Sequence, residues 1–242
     1  MGRDFFQLFP KKAVIGMLHL AGENRENRVK RALEEISIFE EEGLHGIIVE
    51  DYHGTEDDVI NALEAIRNKG TKLIVGVNIL VNPYASPGLA DKYGARFVQF
   101  DTVQSPPIYL EWYERARKNH PNIVVLGGIQ FKYQRKPGKT TEEDIAEGMS
   151  RCDAIVTTGE GTGIETPIEK LKDFRRIMGG FPLVVGAGVT ADNAKEQMDV
   201  CDAAIMGSYF KRKNRTDKHP NTRGPVYRER VREIMEALRT QT

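Results

Sequence analysis

The sequence contains little cysteine, no excess of either charge and no long apolar run. Only Cys152 and Cys201 occur among its 242 residues, and each is followed by Asp-Ala and a strand-like apolar run. Such positions are typical of small, packed, reduced thiols, so we expect no catalytic thiol. Lys and Arg number 35 and so do Asp and Glu, which gives a formal net charge of +0. This balance indicates neither a nucleic acid nor an anionic membrane as partner.

A membrane span and a secretory signal are also missing from the sequence. No apolar stretch approaches the ~20 residues that a helix needs to cross a bilayer. The first residues, Met-Gly-Arg-Asp-Phe-Phe, lack the charged start, long apolar core and cleavage site of a secretory signal. We therefore expect no membrane insertion and a cytoplasmic location.

The length of the chain, 242 residues, fits one (β/α)8 barrel of about 250 residues or two modest domains. No Pro-, Gly- or Ser-rich linker and no shift in composition divides it. We therefore predict one barrel domain over residues 11–242. The N-terminal extension, residues 1–10, is expected to plug the bottom of the barrel or to pack beside it.

Eight short apolar segments of two alternating kinds recur along the chain. Those of the first kind are β-branched runs that close on glycine, at 13–16, 73–76, 124–127 and 183–186, and those of the second lie between them, at 46–50, 95–99, 154–158 and 203–207. Near-continuous apolar strands are what a parallel sheet covered by helices requires. Alternate strands of a barrel also supply alternate layers of its core. The sequence therefore predicts an α/β protein, a single (β/α)8 TIM barrel.

Amphipathic helical patterns fill the gaps between these strands, and several have marked starts. Thr55 and Thr141 are each expected to open a helix. Thr166 with Glu169 predicts a capping box after the sixth strand. Thr190 is a candidate N-cap for the helix after the seventh strand. Strand and helix thus alternate throughout, as a barrel demands.

Glycines follow the last two predicted strands, as Gly186 and Gly188 after the seventh and Gly207, with Ser208, after the eighth. Backbone N–H groups at such turns can form a cup for an anion, and TIM barrels often build a phosphate site from these two loops. Gly-Ala-Gly alone also serves ordinary tight turns. In the context of a barrel, we predict that Gly186, Gly188, Gly207 and Ser208 bind phosphate.

Charged and amide side chains stand at other strand ends, where chemistry in this fold takes place. Glu50 ends a central strand, where an unpaired carboxylate is expensive to desolvate, so we favour a functional role over a paired structural one. Asp101 is a second acid/base candidate, although it could cap the following turn. Lys132 would balance an anionic substrate, and Asn78 would hold a substrate hydroxyl or a turn. These four residues form the predicted catalytic set.

The remaining polar residues at the predicted mouth are expected to bind substrate. His19 is as compatible with a satisfied core histidine as with a ligand or proton carrier. Two long, basic segments, 132–140 and 211–224, are candidate mobile loops over the site. The predicted substrate-binding residues are His19, Gln99, Gln130, Thr158 and Gly159.

A metal site would need ligands from the same strand ends. Carboxylates of Glu50, Asp51 and Asp101 with His53 would suit Mg²⁺ or Mn²⁺. The sequence has no dense His or Cys spacing of the kind that metal sites use. We therefore expect no cofactor, with a divalent metal such as Mg²⁺ as the alternative.

Six segments in order resemble the BtpA/SgcQ family. They are VIGMLHL at 14–20, GIIVE at 46–50, GVNILVN at 76–82, DAIVTTG at 153–159 with GTG at 161–163, VGAGVT at 185–190 and GSYFK at 207–211. The resemblance implies a barrel of the ribulose-phosphate-binding type, in a family with members linked to photosystem I assembly and others found among sugar-utilisation genes. Its implied site residues are Gly186, Gly188 and Gly207 for phosphate, with Glu50, Asn78, Thr158 and Lys132. The chain departs from the family pattern at Tyr133, where a histidine is usual, and at 224–227, where Gly-Pro-Val-Tyr replaces Asn-Pro-Val-Asp.

These observations predict an enzyme that acts on a small phosphorylated sugar or related metabolite by isomerase-, epimerase- or aldolase-type proton transfer. Charged helix faces offer no obvious apolar patch for a partner, which favours an enzyme over an assembly factor without catalysis. A ribosyl or nucleotide-sugar hydrolase is a further alternative, because Glu50 could stabilise an oxocarbenium ion. A homo-oligomer through one barrel face is compatible with the sequence.

Overall fold

The computed structural model describes residues 4–134, 138–214 and 221–239. Eight parallel strands form a closed barrel in which each strand pairs with the next in sequence and the last pairs with the first. Helices alternate with the strands. The predicted (β/α)8 TIM barrel is therefore confirmed.

The strands lie at the eight predicted places. They are β1 (Ala13–Leu18), β2 (Gly46–Glu50), β3 (Ile74–Asn78), β4 (Phe97–Phe100), β5 (Val124–Gly128), β6 (Ala154–Thr157), β7 (Leu183–Val185) and β8 (Ala203–Met206).

The helices cover the outside of the barrel. They are α1 (Phe5–Leu8), α2 (Arg25–Glu41), α3 (Glu56–Lys69), α4 (Ser86–Tyr93), α5 (Leu110–Asn119), α6 (Thr141–Arg151), α7 (Ile168–Met178), α8 (Ala194–Val200) and α9 (Arg228–Arg239), with short 3-10 helices at Pro83–Ala85 and Tyr209–Lys211. No helix in the described ranges is long and apolar enough to cross a membrane.

The apolar strands separate two layers of core. In β1, for example, Val14 and Leu18 belong to the layer between strands and helices, whereas Ile15 and Met17 point to the layer inside the barrel. This alternation follows from the period of two along a strand. Every residue of β1 is buried, so its near-continuous apolar sequence reflects burial on both faces.

Two of the strand glycines leave room for aromatic rings. A Cβ at Gly76 of β3 would lie 2.3 Å from Cζ of Phe97, which fills the inside of the barrel. A Cβ at Gly16 of β1 would lie 2.8 Å from Cε2 of Phe39, which packs from α2 on the outside. The recurring glycine in the sequence pattern thus marks places where a large side chain approaches the backbone.

Side chains of the N-terminal segment close the bottom of the barrel. Phe5 and Phe9 are both 1% exposed and belong to the inner core layer. The Phe9 ring meets the Phe97 ring edge-on, with centroids 5.3 Å apart, and its Cε1 lies 2.9 Å from the Cβ position of Gly46, the first residue of β2. The segment therefore supplies part of the core rather than a detached arm.

The helix starts agree only in part with the sequence prediction. Thr55 and Asp58 form a capping box at α3, as its signature indicates. The cap of α6 is Thr140, one residue before the predicted Thr141.

The predicted caps of α7 and α8 are wrong. At α7 the N-cap is Pro167, without a side-chain cap, because the Thr166 hydroxyl instead donates to the Ala187 carbonyl at 3.2 Å. At α8 the helix begins at Ala194, and the Thr190 N–H donates to Asn193 Oδ1 at 2.7 Å in the turn before it. A contact with the loop after β7 thus replaces the expected cap of α7, and a local turn at Asn193 precedes α8.

Replacing Phe9 with alanine should destabilise the protein strongly. Removing a fully buried phenylalanine leaves a cavity and costs about 3–5 kcal/mol. The matched control is Phe6→Ala, since the Phe6 side chain is 39% exposed and its loss should cost less than about 1 kcal/mol. Denaturant unfolding of the two variants measures both effects, and equal stability losses would contradict the role of Phe9 in the core.

Candidate active site

A cavity of about 480 Å³ opens at the carboxyl ends of the strands. This is the end of a TIM barrel where its loops assemble active sites. Most of the predicted site residues line it, namely His19, Glu50, Asn78, Gln99, Asp101, Lys132, Gly186, Gly188, Gly207 and Ser208.

Two carboxyl groups share one amide at the floor of the cavity. Glu50 pairs with Asn78 in the register of β2 and β3, and Asn78 Nδ2 donates to Glu50 Oε1 at 2.9 Å and to Asp101 Oδ1 at 3.1 Å. Asp101 Oδ1 also accepts from Gln99 Nε2 at 2.8 Å. The amide groups thus hold Glu50 and Asp101 together without a cation between them.

Burial makes both carboxyl groups poor acids. Burial and, after it, the neighbouring charge of Asp101 raise the pKa of Glu50 to about 8, while Lys132 opposes the change. Burial also raises the pKa of Asp101, against its hydrogen bond from Gln99. Because the two groups interact, they titrate as a pair. At neutral pH the pair can hold one proton and offer one carboxylate.

A buried lysine determines which ring nitrogen of His19 carries the hydrogen. Lys211 is 1% exposed, and its Nζ lies 3.1 Å from His19 Nδ1 and 3.3 Å from the Thr222 carbonyl. A charged ammonium only donates, so Nδ1 accepts and Nε2 carries the hydrogen. His19 Nε2 lies 3.8 Å from Glu50 Oε2. The imidazole therefore presents an N–H to the floor of the cavity.

His19 is held in its neutral form by its surroundings. Burial lowers its pKa well below the ordinary value, and the charge of Lys211 lowers it further. The ring also packs against Tyr52, with centroids 5.1 Å apart. A neutral imidazole can donate a hydrogen bond to a developing oxyanion without first losing a proton.

Lys132 brings a cation to the cavity wall after β5. Its Nζ lies 5.0 Å from the centroid of the Phe131 ring, and its backbone N–H donates to Thr158 Oγ1 at 2.6 Å. The Thr158 hydroxyl in turn reaches the Gly159 carbonyl at 2.9 Å. Thr158 and Gly159 do not line the cavity, so the structure places them where they support the backbone of Lys132.

Gln130 lies outside the cavity as well. Its backbone is left-handed, with φ of 47°, and its Nε2 donates to Asp144 Oδ2 at 3.1 Å and to Thr141 Oγ1 at 3.3 Å. Its backbone N–H donates to Gln104 Oε1 at 2.9 Å. The side chain therefore ties the loop after β5 to α6 and does not face a ligand in the cavity.

The loops after β7 and β8 offer unoccupied backbone donors. Within the described part of the chain, the N–H groups of Gly188, Gly207 and Ser208 donate no hydrogen bond, whereas that of Gly186 donates to the Thr157 carbonyl at 2.9 Å. Three N–H groups on the cavity wall are thus available to an anion.

Two of these glycines also serve close packing. A Cβ at Gly188, whose φ is 71°, would lie 2.3 Å from the Ile164 carbonyl oxygen, and one at Gly207 would lie 2.8 Å from His19 Cε1. A larger residue at Gly188 would displace the loop after β6 as well as any anion.

Five tyrosines on the cavity wall were not among the predicted site residues. They are Tyr52, Tyr84, Tyr109, Tyr133 and Tyr209. The Tyr133 hydroxyl accepts from the Thr162 N–H at 2.9 Å, which joins the loops after β5 and β6. The sequence signal for Tyr133 is its position next to Lys132, where the family pattern has histidine.

Two of the four predicted ligands of a metal are engaged in other hydrogen bonds. Asp51 Oδ1 accepts from the Leu80 N–H at 2.8 Å, and His53 Nε2 lies 2.8 Å from Thr222 Oγ1. Among the residues that the structure describes, no group of three or more His, Cys, Asp or Glu is arranged to hold a metal ion.

Parts of both candidate mobile loops, 135–137 and 215–220, lie outside the described residues.

The closed parallel barrel, with a polar cavity at its carboxyl end, defines the chain as a TIM-barrel protein. It belongs to the BtpA family, whose model matches residues 10–240. An uncharacterized protein of Archaeoglobus fulgidus is 26% identical over an alignment of 255 positions, which covers 95% of this chain and 99% of that protein.

Solved structures of low identity share the fold. The structure described as native KDPGal superposes with a TM-score of 0.65 at 14% identity, covering 94% of each chain. Phosphoribosyl anthranilate isomerase from Thermus thermophilus gives a TM-score of 0.62 at 16% identity, covering 95% of this chain and 100% of the isomerase. At such identities the likeness extends to the barrel architecture alone.

Replacing Glu50 with glutamine should stabilise the protein at alkaline pH. Because the pKa of folded Glu50 is about 8 and its ordinary value is 4.5, the folded chain keeps a proton that the unfolded chain releases. The Glu50 contribution to stability is therefore full below pH 4.5 and falls as the pH rises towards 8. Glu50→Gln removes this loss.

We expect the melting temperature of Glu50→Gln to exceed that of the wild type at pH 8 by about 2–4 °C for each kcal/mol regained. The two curves should converge near pH 5. The exposed Glu64→Gln is the control, and it should follow the wild type at every pH. Parallel curves for Glu50→Gln and the wild type would contradict the raised pKa.

The tautomer of His19 should be visible in ¹⁵N-histidine NMR. We expect His19 to stay neutral, with hydrogen on Nε2, well below its ordinary pKa of 6.5. Lys211→Met should raise this pKa and release the tautomer. His45, whose Nδ1 accepts from the Val14 N–H at 3.1 Å, should keep its signal in both proteins. A protonated His19 at pH 6 in the wild type would refute the assignment without any variant.

Proposed function

We propose that this protein is an enzyme that moves a proton next to a carbonyl group of a small phosphorylated sugar or related metabolite, as an isomerase, epimerase or aldolase does. The observation that carries the proposal is the pair formed by Glu50 and Asp101 around the Asn78 amide. Perturbed carboxyl groups in a cavity are typical of acid/base sites. A structural ion pair explains the perturbed pKa values less well, because no cation contacts the Glu50 and Asp101 carboxyl groups directly.

The chemistry can be assigned to residues in one balanced sequence. The carboxylate of the Glu50–Asp101 pair removes a proton from the carbon beside the carbonyl, and the bonding electrons move to the carbonyl oxygen. Lys132 and the His19 N–H stabilise the resulting enolate. In an isomerisation, the carboxylic acid of the pair then returns a proton to the former carbonyl carbon while the adjacent hydroxyl proton moves to the enolate oxygen; in an epimerisation, it returns a proton to the opposite face of the same carbon. In this scheme Gln99 and Asn78 position the pair.

The substrate phosphate is assigned to the N–H groups of Gly188, Gly207 and Ser208. These donors follow β7 and β8, across the barrel from β3, which carries Asn78, and from β4, which leads to Asp101. Binding energy gained at the phosphate would then hold the reacting carbon over the carboxyl pair. The likeness to phosphoribosyl anthranilate isomerase supports a phosphorylated sugar as substrate.

The proposal includes no metal ion and a cytoplasmic location, and it is compatible with a homo-oligomer. The engaged side chains of Asp51 and His53 favour a metal-free site, and addition of Mg²⁺ or EDTA to the binding experiment below tests that part. An assembly factor without catalysis and a ribosyl hydrolase are outcomes that the same experiments distinguish.

Ser208 offers a test of phosphate binding. An added carboxylate in the cup should repel an anion, so Ser208→Asp should weaken binding of inorganic phosphate and of ribose 5-phosphate by roughly tenfold or more, which corresponds to ~1.4 kcal/mol. Ser208→Ala keeps the backbone donor and should bind nearly as the wild type does. Calorimetric titration measures the three affinities. Equal binding by wild type and Ser208→Asp would remove the phosphate assignment.

Proton transfer is tested in D₂O with a panel of phosphorylated sugars. We expect NMR to detect deuterium entering the carbon beside the carbonyl of a substrate with the wild type, and at least ~100-fold slower entry with Glu50→Gln. Release of a free base or aglycone without deuterium entry would favour the hydrolase. If no sugar phosphate binds or exchanges and a protein partner co-purifies in stoichiometric amount, the assembly role replaces the enzyme.

A further inference from the structure

The cavity has an apolar side that the proposed chemistry does not use. Its wall beyond β3 and β4 is formed by two loops, whose cavity-lining residues are Ile79, Leu80, Val81, Pro83, Tyr84, Pro107, Ile108 and Tyr109. Neither 79–84 nor 105–109 contains a charged residue. We call these eight residues the apolar wall.

Part of the apolar wall is exposed to a degree unusual for large apolar side chains. Val81 is 81% exposed and Tyr109 is 72% exposed. Apolar surface that is contiguous, concave and exposed is expected where a ligand covers it. The fold itself therefore leaves this surface available.

The apolar wall is also held in place by hydrogen bonds. The Leu80 N–H donates to Asp51 Oδ1 at 2.8 Å, and the Tyr109 N–H donates to the Tyr84 hydroxyl at 2.8 Å. The Tyr84 ring packs near Phe100, with centroids 6.3 Å apart. A surface fixed in this way can bind a rigid group without a large ordering cost.

The order of strands places this wall relative to the other parts of the cavity. In a closed barrel of eight consecutive strands, β3 lies opposite β7 and β4 lies opposite β8. The N–H groups assigned to phosphate follow β7 and β8, whereas the carboxyl pair lies at the floor of the cavity, at the ends of β2 and β4. The cavity thus has an anion site on one side, a polar floor and, opposite the anion site, an apolar wall.

From this sequence of surfaces we infer that the ligand is a phosphorylated sugar that carries an aromatic or similarly flat apolar group at the end far from its phosphate. The inference rests on the proposed function for the phosphate and the sugar. A bare sugar phosphate would set hydroxyl groups against the apolar wall, where the residues named offer few partners for them. A ring would instead bury that surface and stack on its tyrosines.

The experiment compares ribose 5-phosphate with adenosine 5′-monophosphate, which share phosphate and ribose and differ by a ring. We expect the nucleotide to bind the wild type at least ~10-fold more tightly, as burial of one ring implies. The double variant Val81→Ser/Tyr109→Ser should lose this advantage while it keeps its affinity for ribose 5-phosphate. Both positions are exposed, so the fold should tolerate the changes.

The control variant is Met149→Ser, on α6 and 37% exposed, which should bind both ligands as the wild type does. Indole serves as a neutral ring probe that needs no phosphate site. Its saturation-transfer NMR signal should appear with the wild type and fall by at least half with the double variant.

The possible outcomes distinguish a failure of the phosphate site from a failure of the ring site. If indole binds the apolar wall but neither phosphate compound binds, the phosphate assignment fails and the ring site stands. If ribose 5-phosphate binds but the nucleotide binds no more tightly and indole gives no signal, the ring site is wrong and the phosphate site stands. An advantage of the nucleotide that survives in the double variant would also overturn the inference.

Discussion

Side chains must fill the interior of the barrel, and this packing requirement determines at which end of the barrel the functional groups lie. Phe97 fills the centre because Gly76 has no side chain to block it, and Phe9 closes the bottom against Phe97. With the lower half of the barrel interior filled in this way, the cavity lies at the carboxyl ends of the strands. The cavity and its polar residues are confined to that end, where eight loops can contribute to one site.

The same burial gives the site its chemistry. Glu50 is 5% exposed and lies close to a second acid, with amide donors but no cation in direct contact. Its raised pKa therefore follows from lost hydration and from Asp101. Such a group lowers the stability of the fold at high pH, because the unfolded chain releases a proton that the folded chain keeps. Burial also lowers the pKa of His19, and the charge of Lys211 lowers it further, so the imidazole is held neutral as well.

The sequence was sufficient for the barrel because that information is local. β-Branched runs, their spacing and the helical stripes between them each depend on neighbouring residues, and they located all eight strands. The cap of α7 escaped prediction because the Thr166 hydroxyl bonds to Ala187, 21 positions away. Gln130 was expected at the mouth, yet the hydrogen bonds that it donates to Gln104 Oε1 and Asp144 Oδ2 hold it away from the cavity. The burial of Lys211 and the apolar wall likewise depend on residues distant in the chain.

The hydrogen bond between Tyr133 and Thr162 couples two loops that a TIM barrel usually leaves independent. Tyr133 follows Lys132 directly and adopts a left-handed backbone, with φ of 61°. The Tyr133 hydroxyl accepts a hydrogen bond from the Thr162 N–H. This hydrogen bond links the loop after β6 to the residue beside Lys132. The position of the Lys132 cation and the shape of the adjacent cavity wall formed by the loop after β6 are therefore linked.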